Sequence, residues 1–217
     1  MHNSKTVPKG AVFLAAEDFC KRYKLDWHAI RNCGQIFIDP PDREHDDWWN
    51  YFDMDTDYDA IKKELEIESD VTLRILRQPF VPCVISFVIS ANNNIKRISK
   101  IIEKIDFAKL EKYSVDDFED IGCGYRSKHL YWTVRHLKNL DFAELAKMSN
   151  EELHKTLCTI SGVGPKVANC VMLFAFHRLD VVPIDVHIRR VKDKIPAGHR
   201  YAGVAQQYLF YEAIQGK

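Results

Sequence analysis

From about residue 57 onward, apolar residues follow a helical rhythm. In 57–67 they stand at Tyr58, Ile61 and Leu65, spaced as on one helix face. Residues 81–91 are apolar on nearly every side, which predicts a central helix. Asn92, Asn93 and Asn94 end it, because asparagine tolerates turn geometry. Ile95, Ile98, Ile101, Ile102 and Ile105 then mark an amphipathic helix with lysines outside. Ser114, with Asp117 three residues on, opens another. Two more are expected over 128–137 and 142–148. Residues 1–49 lack this rhythm. Their short apolar runs, 11–15 and 35–38, read as strands, the second stopped by Pro40-Pro41. The expected fold is mainly α, with a partly β segment over 1–52 and a helical domain over 53–217.

The chemistry concentrates after Ser149. Ser149 or Asn150 caps a helix whose first turn holds Glu151 and Glu152, and which runs through Leu153 and Leu157. Then comes Ile160-Ser161-Gly162-Val163-Gly164-Pro165-Lys166-Val167. Two glycines make a tight hairpin, and Pro165 starts the next helix, where its missing N–H costs nothing. That helix is expected to end near His177. A hairpin of this kind presents backbone N–H groups and a helix N-terminus to a phosphate. A plain helix–helix turn fits Gly-x-Gly equally well. Lys166 adds to the picture: the macrodipole disfavours a cation in a first turn. Such a lysine is either solvated or has a lowered pKa, and a neutral amine is a nucleophile that forms Schiff bases. Asp185 follows Pro183-Ile184 and precedes a new helix. It reads as an N-cap or as a carboxylate that stabilises developing positive charge.

Composition narrows the class without choosing it. The chain has 217 residues, 46% hydrophobic and 29% charged, ordinary values for a globular protein. Its formal net charge is zero, which gives no support to nucleic-acid binding by the chain as a whole. The charge is unevenly spread, however. Asp53, Asp55, Asp57 and Asp59 lie in an acidic stretch, whereas Arg189, Arg190, Lys192 and Lys194 form a basic one. Six cysteines, several in apolar runs and none in a Cys-x-x-Cys pair, point to buried free thiols in a reducing compartment. No metal site and no cofactor is expected. The spacing of Cys158, Cys170, His177 and His187 fits no compact zinc pattern, and no cysteine run suits an iron–sulfur cluster. No signal peptide or membrane span is evident, so an intracellular protein is expected.

Together, the stretch from Leu157 to Cys170 and the later Val182-Pro183-Ile184-Asp185-Val186-His187 resemble the helix-hairpin-helix, Gly/Pro-rich, Asp glycosylase superfamily. Within it the chain is most similar to the 8-oxoguanine DNA glycosylase/AP lyases. Cys33-Gly34-Gln35-x-Phe37, Ser86-Phe87-x-x-Ser90-x-Asn92-Asn93-Asn94-Ile95, Gly124-Tyr125-Arg126 and Tyr201-Ala202-Gly203-Val204-Ala205-Gln206 follow in family order. The resemblance implies that Lys166 is the nucleophile and Asp185 stabilises the reacting sugar. It implies a base pocket of Gly34, Cys170, Gln206 and Phe210. Gly34 offers a carbonyl to the extra N–H of the oxidised base, Cys170 and Phe210 sandwich it, and Gln206 reads its pairing edge. Asn92, Arg97 and Arg126 are implied to contact the orphaned cytosine, with Tyr125 as the wedge. Gly162, Gly164 and His187 are implied to hold phosphates.

The chain departs from that pattern by being shortened. Most of the family's N-terminal sheet is missing after Phe37, and so is a helical insertion between Arg190 and Tyr201. The expected protein is therefore a compact, monomeric base-excision repair enzyme acting on double-stranded DNA that contains oxidised guanine. Its place would be the cytoplasm of a prokaryote or the nucleus of a eukaryote. Two alternatives stand beside it: a glycosylase of the same superfamily with another lesion preference, and a non-enzymatic DNA-binding module.

Overall fold

The structure, a computed structural model, describes residues 14–37, 39–186 and 188–215. Helix α5 (Phe80–Ser90) forms its centre, burying Cys83, Val84, Ile85, Phe87, Val88 and Ile89. It packs against α6 (Ile95–Ile102), α8 (Ser127–Leu137) and α11 (Pro165–Phe174). A helix buried all round lacks a polar stripe, as the apolar run of 81–91 implies. Phe87 of α5 stacks on Phe174 of α11 with centroids 5.4 Å apart. Side chains of this size each stabilise by about 1.5–3 kcal/mol when fully buried. Around this centre lie α4 (Tyr58–Glu64), α7 (Val115–Asp120), α9 (Phe142–Lys147) and α10 (Asn150–Cys158).

The helix starts follow the sequence closely. Asp57 caps α4 by accepting from the Ala60 N–H at 2.9 Å. Ser114 and Asp117 form a reciprocal capping box on α7, and Ser149 and Glu152 form one on α10. Two ends differ. Helix α6 stops at Ile102 and closes in tighter turns, Lys104 to Ile101 and Ile105 to Ile102. Helix α11 stops at Phe174; a wider turn from Phe176 to Val171 then leads to His177, whose φ is +55°.

The N-terminal part, expected to be partly β, carries helices between the two stretches read as strands and after them. It holds α1 (Ala16–Tyr23), α2 (Trp27–Asn32) and α3 (His45–Tyr51). Residues 11–13 lie outside the described residues. The neighbouring Leu14 forms only an isolated antiparallel bridge with Arg43. The 35–37 stretch forms no strand because a side chain does the pairing instead. Gln35 Oε1 accepts from the Leu76 N–H at 2.9 Å and its Nε2 donates to the Arg74 carbonyl at 2.9 Å. These helices enclose a second cluster of Phe19, Cys20, Ile30, Trp48, Tyr51 and Phe52. Leu76 joins that cluster while Leu73 and Ile75 face the main core, so one segment seals both. Asp53 fastens the two further. It accepts from Arg77 at 2.8 and 2.9 Å and lies 3.2 Å from His177. Helix α12 (Ala202–Ile214) ends the described chain. Five cysteines are buried free thiols and Cys158 is half-buried. No helix among the described residues is long and apolar enough to cross a membrane.

Candidate active site

The hairpin is seated from below. Gly162 turns it with φ +78°, and a Cβ there would meet Val88 of α5 at 3.0 Å and His129 of α8 at 3.1 Å. Both a left-handed turn and a close approach therefore require glycine. Helix α8 holds the preceding residue twice: Thr133 donates to the Ser161 carbonyl at 2.6 Å, and His129 Nδ1 pairs with Ser161 Oγ at 3.2 Å. Gly164 is the N-cap of α11 and Pro165 its first residue. The N–H groups of that first turn have no acceptor within the helix, so they face outward as an anion cradle.

Lys166 and Cys170, one turn apart on α11, point toward a cavity of about 40 Å³. Its walls also carry Gly34, Phe87, Phe174, Pro183, Asp185, Gln206, Gln207 and Phe210. All six residues assigned to chemistry and base pocket thus come together. The Lys166 ammonium lies 5.3 Å from the centroid of the Phe87 ring, against an aromatic floor. Burial pushes the Cys170 thiol above its ordinary range, and the Lys166 charge opposes this only in part. Asn169 donates to the Val182 carbonyl at 3.0 Å, fixing the segment that brings Asp185 round. Asp185 Oδ1 accepts from the Ile188 N–H at 2.8 Å, so the carboxylate does cap the short turn of residues 188–190. Capping and facing the cavity are compatible, since a carboxylate has two oxygens.

The opposite wall comes from the two ends of the chain. Gly34, at φ +79°, lies directly under Phe210: a Cβ there would stand 2.3 Å from the ring. The ring fills the space above Gly34, so the cavity is small. Gln206 is 5% exposed, and its Oε1 is buried with no hydrogen-bond partner among the described residues. Such an acceptor costs about 1–3 kcal/mol until something donates to it. Hollows of about 340 and 350 Å³ lie elsewhere on the surface, but their linings bring no comparable chemistry together.

A second group sits at the ends of α5 and α8. Asn92 adopts φ +50° as α5 ends. Arg126 is nearly buried and donates to the Ala91 and Asn92 carbonyls. Its guanidinium stacks 4.3 Å from the centroid of Tyr125, which is 65% exposed. Arg97 lies apart, on α6, where it donates to the Gly122 carbonyl at 3.2 Å. His187 lies outside the described residues.

Known proteins of this fold have been solved with DNA. A Clostridium acetobutylicum 8-oxoguanine glycosylase/lyase, solved with double-stranded DNA containing cytosine opposite 8-oxoguanine, superposes with a TM-score of 0.78. It is 27% identical, over 88% of this chain and 92% of that one. The chain shares the helical fold of these helix-hairpin-helix glycosylases. The Arabidopsis thaliana N-glycosylase/DNA lyase is 32% identical over 54% of this chain and 39% of its own length. The Saccharomyces cerevisiae N-glycosylase/DNA lyase is 29% identical over 77% of this chain and 54% of its own. The chain thus matches only about two-fifths to one half of these curated relatives. No family model matches it.

Sequence reasoning missed Phe87, Phe174, Pro183 and Gln207 as cavity residues. Phe87 and Phe174 read as core, which they also are. The cue available for Gln207 was a polar pair, Gln206-Gln207, inside an otherwise apolar helix.

Proposed function

We propose that this protein is a base-excision repair DNA glycosylase that removes 8-oxoguanine and then nicks the strand as an AP lyase. One observation carries the reading: Lys166, Asp185, Gly34, Cys170, Gln206 and Phe210 share one cavity beside the hairpin. In the proposed reaction the hairpin amides of Gly162 and Gly164 hold a phosphate of a flipped nucleotide. The Lys166 amine attacks C1′ as the bond to the base breaks. The base leaves with the bonding pair and takes up a proton. Asp185 stabilises the positive charge that develops on the sugar. Nζ loses a proton, the C1′–O4′ bond breaks and O4′ takes up a proton, which gives a Schiff base. Removal of a C2′ proton then expels the 3′ phosphate. The unpartnered Gln206 Oε1 suits a donor on the pairing edge of the base. Asn92, Arg97 and Arg126 serve the cytosine left behind, and Tyr125 fills the stack. His187 is a further phosphate ligand in this reading. The protein works as a monomer on double-stranded DNA, inside the cell, in the nucleoid or the nucleus.

Phe210 must swing off Gly34 before a purine fits. That closed state gives some support to a second reading, a glycosylase with another lesion preference. The test is a panel of duplexes, each with a different damaged base, assayed for free base and for nicked strand. The proposal predicts release of 8-oxoguanine, fastest opposite cytosine. Release of another damaged base in its place would favour the second reading, and DNA binding without release of any base would contradict both.

A further inference from the structure

Two adjacent glutamines of α12 behave in opposite ways. Gln206 keeps a buried, unpartnered oxygen at the cavity. Gln207, 2% exposed, donates its side-chain N–H to the carbonyl of Cys33, 174 residues away in the chain. On the other side of Gly34, Gln78 donates to the carbonyl of Gln35 at 2.6 Å. Gln35 in turn spends its own side chain on Leu76 and Arg74. The carbonyls flanking Gly34 are thus both held by glutamine side chains. Among the described residues no hydrogen bond ends on the carbonyl of Gly34 itself. Buried amide bonds of this kind fix a turn that has no strand ladder to fix it.

We infer that Gln207 is a positioning residue for base recognition, holding the Gly34 turn so that its unengaged carbonyl stays at the pocket wall. The inference rests on the function proposed above and adds a specificity device to it. Guanine presents an acceptor at N7, whereas the oxidised base carries a hydrogen there. A fixed carbonyl oxygen accepts from the oxidised base and repels the normal one. A carbonyl that drifts loses both effects. Because Gln207 sits on the same helix as Gln206 and Phe210, one contact sets the distance between the two readers of the base.

The test compares wild type with Gln207→Met, which keeps the length of the side chain but has no donor, and with Gln207→Glu, which has no donor when ionised. Each is assayed on a duplex with 8-oxoguanine opposite cytosine and on a duplex with a preformed abasic site, which has no base to read. Excision of 8-oxoguanine should fall roughly 10- to 100-fold in both variants, while cleavage of the abasic site stays at the wild-type rate. Undiminished excision in Gln207→Met would overturn the inference. Equal losses on both duplexes would also overturn it, since they mean that Gln207 only supports the fold. Wild type inactive on both duplexes would instead overturn the function on which the inference rests.

Discussion

The cavity has two walls built on different plans. One wall is α11 with the segment that follows it, carrying Lys166, Cys170 and Asp185. Its parts are near neighbours in the chain, tied by Asn169 to Val182 and by Asp185 to Ile188. The other wall pairs the Gly34 turn with α12, joined by the bond from Gln207 to Cys33. The first wall is fastened locally and the second across nearly the whole chain. On the proposed function, chemistry at the sugar and recognition of the base are therefore separable in this fold, and damage to the second wall should spare the first.

Substitutions on each wall can break that separation. Among those that leave the nucleophile in place, Asp185→Asn should act most strongly. It removes the charge but keeps an oxygen that can cap residue 188, so stability should barely change. Excision and abasic-site cleavage should both fall about 10²- to 10³-fold, measured under single turnover; loss of only one would contradict a shared role. Gly34→Ala comes next. Its Cβ would meet the Phe210 ring at 2.3 Å, and overpacking of this kind costs about 1–3 kcal/mol. Excision of 8-oxoguanine should drop about 10- to 100-fold while abasic-site cleavage persists.

Two smaller effects probe the surroundings. Arg126→Ala would free the Ala91 and Asn92 carbonyls and leave Tyr125 without its guanidinium partner. The preference for cytosine over other opposite bases should weaken by about tenfold, or about 1.4 kcal/mol, with little change in cleavage of an abasic site. Acid should act more weakly still. Burial alone would raise the Asp53 carboxyl, but hydrogen bonds from His177, Thr56 and Arg77 and the charge of His177 outweigh it. The group is held well below the carboxylate range. Its unfolded value is about 3.9, so its contribution is present above about pH 4. That contribution, on the order of 2 kcal/mol, disappears as pH falls through the lower folded value. Melting curves between neutral pH and about pH 3 should show Asp53→Asn losing less stability on acidification than wild type.

The same contrast explains what could be read from the chain beforehand. The first wall was legible because its signals are local: a capping box at Ser149, a Gly-x-Gly turn, Pro165 at a helix start. The helical core was legible because α4, α5, α6 and α8 carry clear apolar patterns. Helices α1 and α2 were misread as a partly β region, although Asp26 caps α2 and acidic and basic residues flank α1 in the order the macrodipole favours. Their shortness hid the period. Helix α12 escaped for the opposite reason: it is apolar on most sides and has no side-chain cap. The 35–37 stretch looked like a strand because no local signal tells that Gln35 will pair through its side chain. Gln207 showed only as half of a polar pair in an apolar helix, since its partner lies at the other end of the chain.

The proposed reaction depends most on Lys166 as its nucleophile. Borohydride reduces a Schiff base to a stable amine, so it captures an enzyme on its DNA only if a lysine bond has formed. With a duplex carrying 8-oxoguanine opposite cytosine, wild type should give a covalent protein–DNA band and Lys166→Gln should give none while still binding the duplex. A band of equal intensity from Lys166→Gln would contradict the account.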